Sequence, residues 1–203
     1  MKPFFLVLML VLAVVSVPAE GLYAPSVPED AALVRVVNAT PEELSVDIGP
    51  LRFRALAAYG ASAYRPLRGD VFVLAHAGDR AVLTPQPKAF FSVILLPDGI
   101  LVVPDERHTD PARSQLVVYN LTEEALDFVA VEPEATLAAG VAPGETALRV
   151  VNAIAVRVGA AAGDDLVYDE LLDLVRGESY TLVVLGREAG PAGFVVQASV
   201  DSE

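Results

Sequence analysis

Asp105-Glu106-Arg107-His108 places an Asp three residues before a His, the two side chain types that a Ser-His-Asp acyl-transfer site uses to orient its base and to move the proton. Such a site also needs an activated nucleophile and an oxyanion hole. The matching nucleophile block would read Gly-Asp-Ser, and the nearest approach is Gly69-Asp70-Val71, with Val where the hydroxyl belongs. The other histidine, His76, closes an apolar run and reads as a surface or turn residue. With no Cys in the chain, thiolate nucleophiles, thiolate zinc sites and a disulfide framework are excluded. Asp164, Asp165, Asp169, Glu170 and Asp173 are oxygen donors of the kind calcium takes, but their spacing is that of no known loop and reads as a solvated face. No His pair has zinc spacing, and no Gly-rich phosphate loop is present. No catalytic residue, metal site or cofactor is therefore assigned.

Binding chemistry is better represented. Pro50 to Gly69 contains no acid and carries Arg52, Arg54, Arg65, Arg68, Tyr59 and Tyr64. Arg52 and Arg54 share one face of an alternating strand, with Phe53 pointing inward. Guanidinium forks suit carboxylates and Tyr rings suit sugar faces, so these six are the candidate glycan contacts. The plainer reading is an exposed strand face made soluble by arginines. Leu22, Tyr23 and Pro25 stand in a leader whose Pro25 and Pro28 favour extended backbone. They are the candidate partner-docking residues, through addition to a sheet edge; a strand packed on its own domain is the alternative.

These residues need elements to position them. The 203-residue chain is 54% hydrophobic and 20% charged, which provides ample core and excludes a largely disordered chain. The formal net charge of -13 argues against nucleic acid and against electrostatic docking on an anionic membrane. The excess is uneven: residues 20–112 carry 8 basic and 12 acidic groups, residues 113–203 carry 5 and 15. At the N-terminus, Met1-Lys2 precedes an apolar run from Phe4 to Val15, and Val17-Pro18-Ala19 has small residues where a signal peptidase reads. Residues 1–19 are thus expected to be a cleaved secretory signal, and the periplasm the destination. The run is short for a membrane span of about 20 residues, and an uncleaved anchor is the alternative. Asn38-Ala39-Thr40 and Asn120-Leu121-Thr122 match the N-glycosylation sequon, incidentally in a periplasmic protein.

The remaining chain reads as strands. Leu33 to Asn38, Leu44 to Ile48, Arg52 to Leu56, Val71 to Leu74, Ala89 to Leu96 and Ile100 to Val103 are short β-branched or alternating runs. Turn formers such as Gly69-Asp70, Gly78-Asp79 and Pro97-Asp98-Gly99 bound them. Pro104 to Arg113 is polar and proline-bracketed, a linker composition. Beyond it the pattern restarts. Leu116 to Leu126 echoes Leu33 to Leu44, Leu137 to Gly140 echoes Leu56 to Gly60, and Tyr180 to Leu185 echoes Phe90 to Leu95. Asp164 to Val175 fits either a short helix or strand, turn, strand, and the all-β context favours the second. The expectation is an all-β protein of two tandem antiparallel β-sandwich domains, immunoglobulin-like or carbohydrate-binding-module-like, at residues 20–110 and 111–203.

Gly21-Leu22-Tyr23-Ala24-Pro25, leading through Pro28 into Ala32 to Ala39, resembles the start of mature AlgF-type proteins, the periplasmic alginate O-acetylation accessory family. Leu116 to Leu126 is similar to the opening of that family's second domain. Gly144-Glu145 and Arg176-Gly177-Glu178 before Tyr180 fit its later strands. The resemblance covers nearly the whole mature chain. It implies a non-catalytic role beside a membrane-bound O-acyltransferase and periplasmic Ser-His-Asp-type acetyltransferases that modify mannuronate hydroxyls. Attachment to the inner membrane would be peripheral, through those partners. Two other roles stay open on the residues: a carbohydrate-binding module holding the uronate polymer, and an acetyl carrier or transferase.

Overall fold

The computed structural model describes residues 28–187 and 190–201, so the signal segment and the leader residues Leu22, Tyr23 and Pro25 lie outside the described residues. All regular structure described is β. The first half contains β1 Ala32–Asn38, β2 Leu44–Ile48, β3 Leu51–Leu56, β4 Gly60–Ala61, β5 Arg65–Leu67, β6 Phe72–His76, β7 Asp79–Leu83, β8 Phe90–Leu96 and β9 Gly99–Asp105. The second contains β10 Ser114–Leu121, β11 Leu126–Glu132, β12 Ala135–Val141, β13 Thr146–Val151, β14 Ala155–Ala162, β15 Asp165–Asp173, β16 Ser179–Leu185 and β17 Ala192–Gln197.

The halves repeat one wiring. In the first, β1 pairs with β4 and β5 on one side and β8 on the other, and β8 pairs with β9. In the second, β10 lies between β13 and β16, and β16 pairs with β17. Both central pairs, β1 with β8 and β10 with β16, are parallel, while every other strand pairing is antiparallel. A parallel pair needs a long crossover, and the intervening hairpins supply it. In the second half those hairpins join into one sheet, β12-β11-β14-β15. In the first, β2–β3 and β6–β7 stay separate two-stranded ladders.

Three apolar clusters divide these sheets into a stack. Val34, Val36, Val93 and Leu95 face the β2–β3 and β6–β7 hairpins through Ile48, Phe53, Leu74 and Leu83. Leu116, Val118, Leu182 and Val184 face Leu126, Phe128, Val158 and Leu172 of the outer sheet. Between them a third cluster joins the halves, with Val37, Ile94 and Val103 of the first against Val117, Tyr119, Val183 and Leu185 of the second. The central strands β1, β8, β10 and β16 are thus buried on both faces. This is why they read as mainly apolar runs while β3 and β11 alternate.

Three expectations change. Pro104 and Asp105 belong to β9 rather than to a linker, which leaves residues 106–113, with a turn at Pro111-Ala112, between β9 and the next strand. Asp165–Asp173 is one unbroken strand, because the turn falls earlier, at Gly163 with φ +60°. The repeat is also registered differently. Opposite Leu33 stands Phe90 and opposite Gln115 stands Ser179, which equates Phe90 with Ser179 rather than with Tyr180.

The repeat is anchored by two asparagines. The Asn38 carboxamide donates to the carbonyls of Glu42 at 2.7 Å and Leu56 at 3.0 Å, and accepts from Thr40 N at 3.0 Å and Thr40 Oγ1 at 2.8 Å. Asn120 donates to the carbonyls of Glu124 at 2.7 Å and Val141 at 2.8 Å, and accepts from Thr122 N at 3.0 Å and Thr122 Oγ1 at 2.7 Å. Both side chains are fully buried. The Asn-x-Thr spacing is therefore a turn device in which Asn Oδ1 caps the residue two ahead, and the sequon match follows from it.

Candidate functional site

A charged residue in a doubly buried strand must find its partners inside the protein. Arg35, at 1% exposure in the middle of β1, does so through Nε and Nη2, while its buried Nη1 has no hydrogen-bond partner among the described residues. Its Nε donates to Ser92 Oγ on β8 at 2.6 Å, and its Nη2 donates to Tyr119 Oη on β10 at 2.9 Å and Thr181 Oγ1 on β16 at 2.8 Å. Asp105, the last residue of β9, accepts from Ser92 at 2.6 Å and Tyr64 Oη at 2.7 Å, and its other oxygen accepts from Tyr119. Arg35 Nε lies 4.0 Å from Asp105, so the Ser92 hydroxyl stands between the two charges, accepting from one and donating to the other. The guanidinium also lies over the Tyr64 ring at 4.8 Å. Four of these side chains come from the first half and two, Tyr119 and Thr181, from the second.

Burial works against the Arg35 charge, but Tyr119, Tyr64 and Asp105 outweigh it and hold its pKa above the ordinary value. Burial likewise pushes the Tyr64 and Tyr119 phenols far above their usual range, more than Arg35 pulls them back. A phenol whose folded pKa exceeds its unfolded value of about 10 contributes stability that is intact below that value and lost as pH rises beyond it. In a spectrophotometric alkaline titration, Tyr64 and Tyr119 should stay un-ionised until the chain unfolds. Their smooth titration near pH 10 in a folded protein would disprove the sealed cluster.

The cluster is built to hold, not to react. Ser92, Tyr119 and Thr181 are at most 1% exposed, so no acyl donor reaches these hydroxyls. His76 Nε2 is bonded to the Leu96 carbonyl and His108 Nε2 to the Arg113 carbonyl, both at 2.8 Å. Neither histidine hydrogen-bonds a Ser or Asp side chain among the described residues. Asp105 and His108, three apart in sequence, are thus employed separately. Among the described residues no group of three His, Asp or Glu side chains could hold a metal ion.

The six arginines and tyrosines proposed from sequence do not form one surface. Arg52 and Arg54 do share the outer face of β3, where both pair with Asp47, at 3.4 and 2.5 Å. Arg54 in particular holds the Asp47 carboxyl below its usual range. Arg65 lies 3.7 Å from Asp201 and Arg68 3.0 Å from Asp30. Tyr59 packs against Phe194 at 6.0 Å with Arg187 over its ring at 4.0 Å, at the junction of the halves. Tyr64 is inside the buried cluster.

Beside that cluster the halves leave a cleft of about 750 Å³. Tyr64, Asp105 and Thr181 border it, and its walls carry Phe90, Glu106 and Arg107 from the first half and Glu178 and Ser179 from the second. The segment after β17 closes one side: Tyr64 N donates to the Ser199 carbonyl at 2.7 Å, and Asp201 N donates to the Tyr64 carbonyl at 2.8 Å. Sequence reasoning missed this site because its residues are far apart in the chain. One local signal was available, a lone Arg inside the apolar run Leu33 to Val37.

A family model described as "Alginate O-acetyl transferase AlgF" matches residues 7–181. The chain is 26% identical over 183 residues to an alginate biosynthesis protein AlgF of Pseudomonas syringae pv. tomato, covering 86% of this chain and 82% of that protein. It is 26% identical over 171 residues to the protein of the same description from Pseudomonas aeruginosa, covering 82% and 79%. A solved structure of the C-terminal domain of AlgF from P. aeruginosa is matched at 24% identity and a TM-score of 0.38, covering 42% of this chain and 98% of that one.

Proposed function

The chain belongs to the AlgF family of alginate O-acetylation accessory proteins, and from that membership we propose that it is a non-catalytic bridge between the enzymes of the periplasmic acetylation complex. One observation carries the reading: the stack ends in two outer faces of unlike character. On the β6–β7 hairpin, Val73 and Val82 stand opposite each other and are 63% and 65% exposed, beside Val71. Arg80 shares their face, while Arg52 and Arg54, outward on β3, are already paired with Asp47. On the far side, Leu171 is 62% exposed on β15, with Ile154 and Val175 nearby and Asp165 and Asp173 along the same strand, while Arg157 opposite Leu171 pairs with Asp169 at 2.6 Å. An apolar patch on a soluble domain marks an interaction site, and opposite rim charges select different partners.

In this reading the membrane-bound O-acyltransferase and a Ser-His-Asp-type acetyltransferase are the partners. The leader residues Leu22, Tyr23 and Pro25 add a docking arm. The protein is exported by cleavage after Ala19 and folds as tandem domains at residues 20–110 and 111–203. The sealing of Ser92, Tyr119 and Thr181 supports a holding rather than an acyl-carrying role.

Pull-downs with each periplasmic acetylation enzyme test it. Val73→Asp with Val82→Asp should abolish capture of one partner, and Leu171→Arg with Val175→Arg capture of another, each sparing the other's partner. If the wild type captures no enzyme, or neither double variant changes capture, there is no bridge of this kind. Intact mass after exposure to an activated acetyl donor is the second arm: a stable acetyl adduct would make the chain a carrier instead.

A further inference from the structure

Six edges terminate the three large sheets, and five of them are blunted or occupied. β4 and β5 are only two and three residues long. β9 carries Pro104, and its Ile100 N donates to Asp79 Oδ2 at 3.0 Å. Val200, just past β17, bridges Tyr64. β12 shifts register twice against β11, and β15 carries Asp165, Asp169, Glu170 and Asp173. Short strands, prolines, bulges and charges are the usual devices against edge pairing. The sixth edge, β13, has almost none of them. It runs in unbroken register with β10 from Thr146 to Val151, contains no Pro or Gly, and has Arg149 as its one charge.

A slot lies beside this edge. β12 and β13 are joined by the turn at Gly144 and then part, β12 to the outer sheet and β13 to the inner one. Between their far ends an opening of about 420 Å³ reaches the core of the second half, within the ~300–1,000 Å³ typical of ligand pockets. Leu116, Ala130, Leu137, Val156 and Val158 line it, with the exposed Ile154. Residues 113–203 carry five basic groups against fifteen acids, yet two of the five, Arg113 and Arg149, line the slot and no acid does. Glu132 and Glu134, which flank Pro133, are outside that lining.

Arg113 is held by Asp110 at 2.6 Å, whereas the Arg149 side chain makes no hydrogen bond or ion pair among the described residues. Ala147 and Val151, two residues to either side, pack on the second-half core, so Arg149 shares the face of β13 that looks into the sandwich. A charge so placed turns away a wholly apolar strand, which would bury the guanidinium unpaired. It admits a strand that brings a carboxylate.

We propose that β13 accepts an added strand from an extended segment of a partner protein, with an Asp or Glu of that segment on Arg149 and the apolar side chains two residues to either side of that acid in the slot. Main-chain bonds to the edge give such a complex its affinity, and the slot and Arg149 give it specificity. That the partner is an acetylation enzyme, the one docked on the Leu171 side, rests on the bridge reading above. The edge and its peptide chemistry rest on the geometry alone.

Phage-displayed random octapeptides selected on the full chain test the site. Enriched peptides should carry one acid with aliphatic or aromatic residues two positions to either side, and a synthetic copy should protect β13 amides from hydrogen exchange. Arg149→Ala should weaken that peptide about tenfold, the worth of one charge-assisted pair, and Arg149→Glu should select peptides bearing Lys or Arg instead. No enrichment, enrichment without an acid, or protection away from β13 would overturn the proposal. So would an Arg149→Ala chain that binds the peptide as the wild type does and self-associates in ultracentrifugation, since Arg149 would then only guard the edge. In pull-downs, Arg149→Glu should lose the enzyme that Leu171→Arg with Val175→Arg loses, and keep the other. Enzyme capture without any selected peptide removes the slot and leaves the bridge; a selected peptide on β13 without enzyme capture removes the bridge and leaves the slot.

Discussion

Replacing Arg35 by Met should cost about 3–5 kcal/mol of folding stability, the cost of stripping one partner from a buried ion pair. The Met side chain fills similar volume, so little of this is cavity. What is lost is the guanidinium's compensation of Asp105, whose side chain is 4% exposed, together with donors to Ser92, Tyr119 and Thr181. Arg35→Lys keeps the charge but not the planar fork that reaches three hydroxyls at once, and should recover only part of the loss. Adding Asp105→Asn to Arg35→Met should restore a substantial part, because the orphaned charge is then gone. Urea unfolding with unchanged m-value is the measurement. A loss below about 1 kcal/mol for Arg35→Met would mean that the cluster is wet and the halves are not locked through it. The location of this pair carries its meaning. It joins side chains on both central sheets, so its loss should loosen the halves from each other, not merely lower the melting point.

Asn38→Ala and Asn120→Ala should each cost about 2–4 kcal/mol, and by similar amounts. Each carboxamide satisfies buried carbonyls of a turn and of a neighbouring strand, and truncation leaves them unpaired at roughly 1–3 kcal/mol per group. Asn38 makes one bond more than Asn120, to the Ala57 carbonyl at 3.0 Å, so its loss should be the larger. Replacement by Asp should be worse than Ala at either site, since a carboxylate keeps the Thr contacts but turns an oxygen toward carbonyl oxygens. Chemical denaturation of the four variants decides this. Losses under about 0.5 kcal/mol, or a large loss at one site alone, would show that the repeated turn is not a shared anchor.

Much of the fold was readable because strand physics is local. Alternation in Arg52-Phe53-Arg54 placed Phe53 inside and both arginines outside, as found. Apolar runs at Leu33 to Val37 and Tyr180 to Leu185, interrupted only by Arg35 and Thr181, marked strands, though not that both their faces are covered. The same locality misled at Pro104 to Arg113. Proline and charge suggest a linker when read alone, yet Asp105 pairs with Phe90 in a ladder and enters the Arg35 cluster. The repeat was visible in Asn38 and Asn120 because one turn geometry demands one residue spacing. Its register slipped by a residue at β16, where apolar side chains are interchangeable and only hydrogen-bonded pairing distinguishes neighbours.

The candidate site was less accessible for a related reason. Arginine clustering between Pro50 and Gly69 is a sequence property, but whether a guanidinium is free depends on acids such as Asp201 and Asp30 that only folding brings near. Tyr64 looked like its neighbours and proved to be core.

By itself the sequence determined the all-β class, the repeated strand pattern and, through its motifs, the AlgF family, because composition, alternation and turn chemistry act over a few residues. Only the tertiary structure decided that the two halves share a third core, that Arg35 and Asp105 meet across it, and that a cleft opens beside them. Those features rest on contacts between residues as far apart as Arg35 and Thr181, and burial and pairing at that range follow from how whole sheets stack.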